Sequence, residues 1–217
     1  MSAVVTGLGF AVPGVRTPAD LLGPVDATAD PIDFRARLGR KGLRYQDQAT
    51  RLTRCAARDA LVDAGLLDDA GLLLVPGDRV GVSVSSNFGN LDTVCRTVET
   101  IATGGARVVS PMDLPNASSN VVASTIAISH GLRGPNLMLC NGVTSGLDAV
   151  GWAVRLLTAG RADQVVVVGV EPDTEPARRL LGHEPAFDGA VALVLERESA
   201  ARDRGATVRA RLSGYAR

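Results

Sequence analysis

The feature that most constrains this chain is a valine-rich stretch at residues 164–170, which reads Gln-Val-Val-Val-Val-Gly-Val. A strand that is buried on both faces reads as a continuous apolar run, whereas a half-exposed strand alternates apolar and polar residues. The stretch therefore predicts a central strand with helices packed on both sides. Further strand and helix patterns alternate along the chain, which predicts an α/β fold with a mixed sheet and helices on its faces.

The remaining elements follow from periodicity and from Gly and Pro punctuation. Residues 121–129, Val-Val-Ala-Ser-Thr-Ile-Ala-Ile-Ser, are β-branched, but Gly131 and Gly134-Pro135 close the segment, which favours a helix. Gly7 and Gly9 indicate a turn after the first strand, and residues 11–40 indicate an irregular surface excursion. The predicted strands are 3–6, 79–85, 136–140, 164–170, 190–196 and 207–212, and the predicted helices are 44–64, 87–103, 116–129, 145–158 and 199–204.

Composition narrows the class of protein. A chain of 217 residues with 46% hydrophobic residues is long enough for one domain with a core, spanning residues 1–217. Equal numbers of basic and acidic residues, 23 each, give no basic surface for nucleic acid or anionic membrane. Three scattered cysteines and two histidines form no disulfide framework and no metal-ligand spacing, so we expect no metal and no cofactor. No apolar run reaches the length of a membrane span, which leaves the cytoplasm as the expected location.

The segment that bears most on function is residues 131–171. A short strand leads into Asn141-Gly142-Val143-Thr144-Ser145-Gly146 and then into a helix. A sharp turn from a strand into a helix N-terminus is typical of a nucleophile elbow. It places one side chain at the positive end of the helix dipole, near free backbone N–H groups that stabilise a thiolate or an oxyanion.

At this segment the chain resembles the β-ketoacyl-carrier-protein synthases, the ketosynthases. Their elbow reads Thr-Ala-Cys-(Ser/Ala/Thr)-Ser-Gly, after Gly-Leu-x-Gly-Pro and before Gly-x-Ala-Asp. The same order occurs here as residues 131–135, 141–146 and 160–163, and residues 4–9, 79–90, 193–196 and 200–215 resemble other parts of the family's first half. The resemblance implies a thiolase-like fold of which this chain is the N-terminal half only.

The resemblance also implies a loss of catalysis. The nucleophilic cysteine of the elbow corresponds to Val143, which cannot be acylated. The family's two catalytic histidines belong to the second half of the fold, which would begin about where this chain stops. We expect His130 and His183 to be surface histidines instead. Between the valine-rich strand and residue 193 the family carries a longer loop, and in this chain that loop is shorter. We expect Cys140 to be a buried strand cysteine and Ser145 to cap the following helix.

Chain-length factors are cysteine-less sisters of ketosynthases, and they heterodimerise with a full-length ketosynthase in type II polyketide systems. The chain is similar to such a subunit, although those usually carry glutamine at the position of Val143. The resemblance therefore implies no catalytic residue, a full-length ketosynthase as partner, and acyl carrier protein bound through the complex. Positions implied to form the acyl tunnel or the interface are Phe88, Leu91, Cys95, Met112, Asp113, Leu114, Asn136, Met138 and Cys140.

Phe88, Leu91 and Cys95 are expected to share one helix face, with core packing as the alternative for all the tunnel positions. One half of the fold should also expose an apolar face that a partner covers. Two other functions stay open. One is a small acyltransferase or thioesterase that uses Cys140 or Ser145, and the other is a structural homodimer that binds acyl carrier protein.

Overall fold

A six-stranded mixed sheet organises the chain, and a computed structural model describes residues 2–24, 29–40, 42–111 and 113–214. The strands are β1 (Ala3–Ala11), β2 (Val80–Ser85), β3 (Asn136–Leu139), β4 (Gln164–Glu171), β5 (Gly189–Arg197) and β6 (Ala210–Leu212). Their order across the sheet is β3-β2-β4-β5-β1-β6, in which β2 runs parallel to both β3 and β4, and the remaining neighbours are antiparallel. The α/β mixed sheet predicted from the sequence is confirmed.

Helices cover both faces of this sheet. In chain order they are α1 (Phe34–Leu38), α2 (Gln48–Asp63), α3 (Leu91–Gly104), α4 (Asp113–Asn116), α5 (Val121–His130), α6 (Ser145–Thr158), α7 (Glu175–Leu180) and α8 (Glu198–Asp203). Apolar side chains of α2 and α5 pack on one face against alternate valines of β2 and β4. The small side chains of α6 pack on the other face against the intervening valines of β4. Both faces of β4 are therefore buried, as its valine run predicts.

The first strand corrects the sequence prediction, because it continues through Gly7 and Gly9 to Ala11 instead of turning. These glycines mark a close approach of the α2 backbone. A Cβ atom at Gly7 would lie 2.2 Å from the carbonyl oxygen of Ala60, and one at Gly9 would lie 2.0 Å from that of Ala56. Glycine in a strand has two common causes, a turn and a close backbone approach, and here the second applies.

Other boundaries also differ from the prediction. The segment after residue 110 forms the short α4, which ends at Asn116, and the helix predicted for 116–129 begins only at Val121, as α5. The predicted strand 207–212 is reduced to β6, and α7 was not predicted. Within 11–40, α1 begins after Asp33, whose carboxylate accepts hydrogen bonds from the Arg35 and Ala36 amides.

The outer edge of β1 is only partly covered by another strand. β6 pairs with Ala3, Val4 and Val5 and reaches no further along β1. Beyond Val5, side chains form hydrogen bonds with backbone amide and carbonyl groups of β1. The amide of Leu8 donates to the Asp63 carboxylate at 2.8 Å, and Arg37 donates to the carbonyl oxygen of Phe10 at 2.9 Å.

Candidate functional site at the ends of the parallel strands

The candidate site lies where β2, β3 and β4 end. These three strands are parallel and adjacent, so their carboxyl ends meet at one edge of the sheet. Ligands of open α/β sheets bind in the crevice outside such strand ends. Three loops start there: residues 86–90 after β2, residues 140–144 after β3, and the segment that begins with Pro172 after β4, whose last residue is Glu171.

The elbow after β3 has the form that its sequence predicts. A single 3-10 turn, Gly142–Thr144, joins the strand to α6, and Gly142 takes the left-handed φ of 76° that glycine tolerates best. Val143 lies at the outermost point of this turn with its whole side chain in solvent, 103% exposed. The side chain presented before the N-terminus of this 14-residue helix is thus an isopropyl group.

Ser145 was expected to cap α6, and that prediction is wrong. It is the first residue of the helix and is buried, and its hydroxyl closes the turn. The oxygen accepts from the Asn141 amide at 2.7 Å. It also lies 2.8 Å from the carbonyl oxygen of Gly142 and 3.1 Å from Oδ1 of Asn87, two acceptors that share its one proton. The hydroxyl is therefore a structural group with its hydrogen-bonding capacity used.

Cys140 is exposed, which corrects the expectation of a buried strand cysteine. It follows β3 directly, and its thiol lies 3.7 Å from the carbonyl oxygen of Asn87. Cys95 is also exposed, whereas Cys55 is buried in the core. Burial raises the pKa of the Cys55 thiol to about 11, which keeps that sulfur protonated and unreactive.

The positions implied to form an acyl tunnel fall into two places. Phe88 and Leu91 are half-buried on either side of the point where α3 begins, and Phe88 precedes the helix. The expectation of one shared helix face therefore holds for Leu91 and Cys95 only. These two side chains line a cavity of about 250 Å³ with Pro176 and Leu180 from the region of α7.

The second group of implied tunnel residues includes Asp113 and Leu114 of α4, a helix that is held near the start of α3. Asn90 is buried, and its side-chain amide donates to the carbonyl oxygens of Asn116 and Ser118 at 2.8 and 2.9 Å. These bonds hold the segment around α4 against the start of α3. Asp113 in that segment is half-buried and Leu114 is 57% exposed, while Met112 lies outside the described residues.

The positions implied to form an interface lie on an open edge. β3 is the terminal strand of the sheet, with Asn136 exposed and Met138 half-buried. On α6, beside this edge, Leu147 and Trp152 are 62% and 43% exposed. Val143, in the turn before the helix, is also exposed.

Two residues of the site were missed by the sequence reasoning. Asn87 bridges the β2 and β3 loops, because its side-chain oxygen accepts from the Gly142 amide and the Ser145 hydroxyl at 3.0 and 3.1 Å. The Glu171 carboxylate accepts from the Asn87 and Phe88 amides at 2.7 and 3.2 Å. Their position in the sequence could have indicated them, since both polar residues stand at the carboxyl end of an apolar strand, where ligands of such sheets bind.

The two histidines lie away from the elbow. His183 is exposed in the loop after α7. His130 ends α5 at the opposite edge of the sheet, where β2 and β3 begin, and it is half-buried, whereas a surface histidine was predicted. Its Nδ1 atom is buried without a hydrogen-bond partner in the described part of the chain. Burial, together with the charges of Arg54 and Arg58, lowers the pKa of His130 from 6.5 to about 4.

We expect the lowered pKa of His130 to make the fold sensitive to acid. Between pH 6.5 and pH 4 the unfolded chain binds a proton at this residue and the folded chain does not. Stability is therefore complete above pH 6.5 and is lost as the pH falls toward 4, by about 3 kcal/mol. Urea unfolding of wild type and His130→Gln at pH 7 and pH 4.5 measures this loss. His183→Gln is the control, and an equal pH dependence in all three proteins would contradict the prediction.

No group of three or more His, Cys, Asp and Glu side chains within 2–24, 29–40, 42–111 and 113–214 could hold a metal ion. Across the same ranges, no helix combines the length and apolar character needed to cross a bilayer.

The fold and the elbow together define a ketosynthase-like domain. Residues 15–184 match the model of the beta-ketoacyl synthase N-terminal domain, so the chain belongs to the beta-ketoacyl synthase family. It is 32% identical to 3-oxoacyl-(acyl-carrier-protein) synthase 2 of Vibrio harveyi, over 69% of this chain and 42% of that enzyme. The chain spans about half the length of several such relatives.

Polyketide proteins are similar over more of the chain. The tetracenomycin polyketide synthase ketoacyl synthase alpha subunit of Streptomyces glaucescens is 30% identical over 98% of this chain and 62% of its own length. That alignment runs over 266 positions, more than the 217 residues here, so the relative carries inserted residues within the matched span. Among solved structures, the ishigamide ketosynthase/chain length factor matches with a TM-score of 0.74 and 26% identity, over 92% of this chain and 63% of that one.

Proposed function

We propose that this chain is a non-catalytic, chain-length-factor-like subunit, which heterodimerises with a full-length ketosynthase and shapes its acyl tunnel in type II polyketide or fatty-acid-like chain elongation. The observation that carries the proposal is Val143. It stands at the exposed tip of the elbow, before the N-terminus of α6, where a ketosynthase needs a thiolate. A valine side chain has no lone pair with which to attack a thioester.

The neighbouring residues do not replace the lost nucleophile. The Ser145 hydroxyl is buried and engaged within the turn. A serine nucleophile needs a base within hydrogen-bonding distance, and among the described residues no hydrogen bond joins Ser145 or Cys140 to either histidine. His130 lies at the far edge of the sheet. The turn thus has the shape of a nucleophile elbow, but its described residues provide no nucleophile that is hydrogen-bonded to a histidine base.

A partner is supported by exposed apolar side chains on α6 and in the turn before it, and by the open edge of β3. Val143, Leu147 and Trp152 present exposed apolar area that a second protein would bury. Similar structures include a ketosynthase paired with a chain length factor and a type II polyketide synthase acyl-carrier protein in complex with its ketosynthase. By analogy, we propose a full-length ketosynthase as the partner, with acyl carrier protein reaching this chain through the complex.

Co-expression with a ketosynthase, followed by size-exclusion chromatography and native mass spectrometry, tests the pairing. We expect a one-to-one complex that Leu147→Asp disrupts, because the substitution places a charge in the apolar contact. Leu72→Asp is the matched control, since Leu72 is similarly exposed, at 66%, but lies in the loop between α2 and β2. A chain that remains alone, or a complex that both substitutions weaken equally, would overturn the proposal.

One observation favours a second function, a small acyltransferase that uses Cys140. This thiol is exposed at the elbow, three residues before Val143. Incubation with an acyl-carrier thioester and intact-mass measurement distinguishes the two functions. An adduct that Cys140→Ser abolishes and Cys95→Ser retains would support the acyltransferase, whereas the subunit role predicts no adduct.

A further inference from the structure

Glu171 ties the end of β4 to the loop that carries Phe88. One carboxylate oxygen accepts from the Asn87 amide at 2.7 Å. The other accepts from the Phe88 amide at 3.2 Å and lies 3.3 Å from the hydroxyl of Ser86. Hydrogen bonds to a carboxylate are stronger than those between neutral groups, so three consecutive residues after β2 are fixed by one side chain.

Asn87 ties the same loop to the elbow. Its side-chain oxygen accepts from the Gly142 amide at 3.0 Å and lies 3.1 Å from the Ser145 hydroxyl. Its backbone carbonyl oxygen lies 3.7 Å from the Cys140 thiol. The residue therefore contacts both ends of the turn that presents Val143.

Consecutive bonds link the three strand ends into one unit. The order is Glu171 from β4, then Asn87 and Phe88 after β2, then Gly142 and Ser145 after β3. Loops normally move independently of one another at a sheet edge. Here a displacement of the elbow would have to break the bonds of Asn87, or else move the backbone of Phe88 with it.

We propose that Glu171 and Asn87 are positioning residues, which hold Phe88 in the acyl tunnel and couple its position to the elbow at the partner surface. The inference rests on the proposed function, because it takes the tunnel from that proposal. It adds that tunnel length depends on two residues that do not themselves need to line the tunnel. Docking of the partner on the elbow would then set the depth at which Phe88 stops the growing chain.

Three substitutions separate positioning from folding. Asn87→Ala removes the side-chain acceptor, Asn87→Asp keeps an oxygen acceptor in the same place, and Glu171→Gln keeps the shape but replaces one acceptor oxygen with a donor. Glu175→Gln is the matched control, because Glu175 is exposed on α7 and pairs with Arg179 across one helical turn.

The first measurement is amide hydrogen exchange on the chain alone. We expect the Gly142 amide to exchange about tenfold faster in Asn87→Ala, as the loss of one hydrogen bond implies, and at the wild-type rate in Asn87→Asp. The Asn87 and Phe88 amides should exchange faster in Glu171→Gln and unchanged in Glu175→Gln. Unaltered exchange at all three amides would overturn the coupling, whether or not a partner is known.

The second measurement is product length in a complex reconstituted with the ketosynthase partner. Asn87→Ala and Glu171→Gln should change the main product by at least one extension unit, as Phe88→Ala should, while the one-to-one complex persists. Asn87→Asp should give the wild-type product. If Phe88→Ala alters the product and the other two do not, the positioning role is wrong. If no complex forms, or Phe88→Ala has no effect, the proposed function itself fails.

Discussion

Gly9→Ala should destabilise the fold by about 3 kcal/mol or more, the upper range for overpacking a core. The added Cβ would lie 2.0 Å from the carbonyl oxygen of Ala56 and 2.6 Å from the amide nitrogen of Ala60. Both atoms belong to the α2 backbone, so no side-chain rotation relieves the clash. The helix must instead move away from β1, which opens the core between them.

Urea unfolding of purified protein measures this effect. Gly23→Ala is the matched control, because a Cβ at that position would meet no atom of the other described residues within 4 Å, its two chain neighbours aside. Gly23 also has an ordinary extended backbone, with φ of −106°. We expect Gly23→Ala to change stability by less than about 0.5 kcal/mol. Equal stability of the two variants would show that α2 does not pack this closely on β1.

Glu196→Ala should cost about 3–5 kcal/mol, the range for removing one partner of a buried ion pair. Glu196 is fully buried at the end of β5, and its carboxylate forms a bidentate pair with Arg204. It also accepts from the Thr6 hydroxyl at 2.5 Å and from the Gln164 amide at 3.3 Å. The substitution leaves the guanidinium and two buried polar groups without their acceptor.

A double-mutant cycle isolates the pair. Because Arg204→Ala leaves the Glu196 carboxylate uncompensated, the two single losses should sum to more than the loss of the double variant. Glu175 and Arg179 on α7 supply the control, since their side chains are 62% and 71% exposed. Glu175→Ala should change stability by less than about 1 kcal/mol. Additive losses at Glu196 and Arg204 would contradict the interaction.

The sequence predicted the sheet and its central strand because their signals are local. Five valines in β4 require cover on both faces, and the structure supplies α2 and α5 on one side and α6 on the other. The helix limits of α6 were also predicted correctly, because a turn and Gly160 bound its apolar pattern. These elements follow from neighbours in the chain.

The errors arose where the cause is distant in sequence. Gly7 and Gly9 suggested a turn, but the reason for glycine is a helix about 50 residues away. The roles of Asn87 and Glu171 depend on bonds between loops that are 55 to 84 residues apart, which no local pattern encodes. The elbow was recognised by its motif, whereas the contacts that fix it became visible only in three dimensions.

The two ends of the sheet differ in a way that limits how it can grow. At the β1 end, Asp63 and Arg37 occupy backbone groups that another strand would use, and β6 is only three residues long. The β3 end lacks such blocking groups among the bonds of the described residues. Charged side chains that block an edge are how natural sheets avoid stacking into fibres. Sheet extension from this chain is therefore favoured at β3, and two chains joined there would leave at each outer end only the three-residue β6, beside groups of β1 that are already bonded.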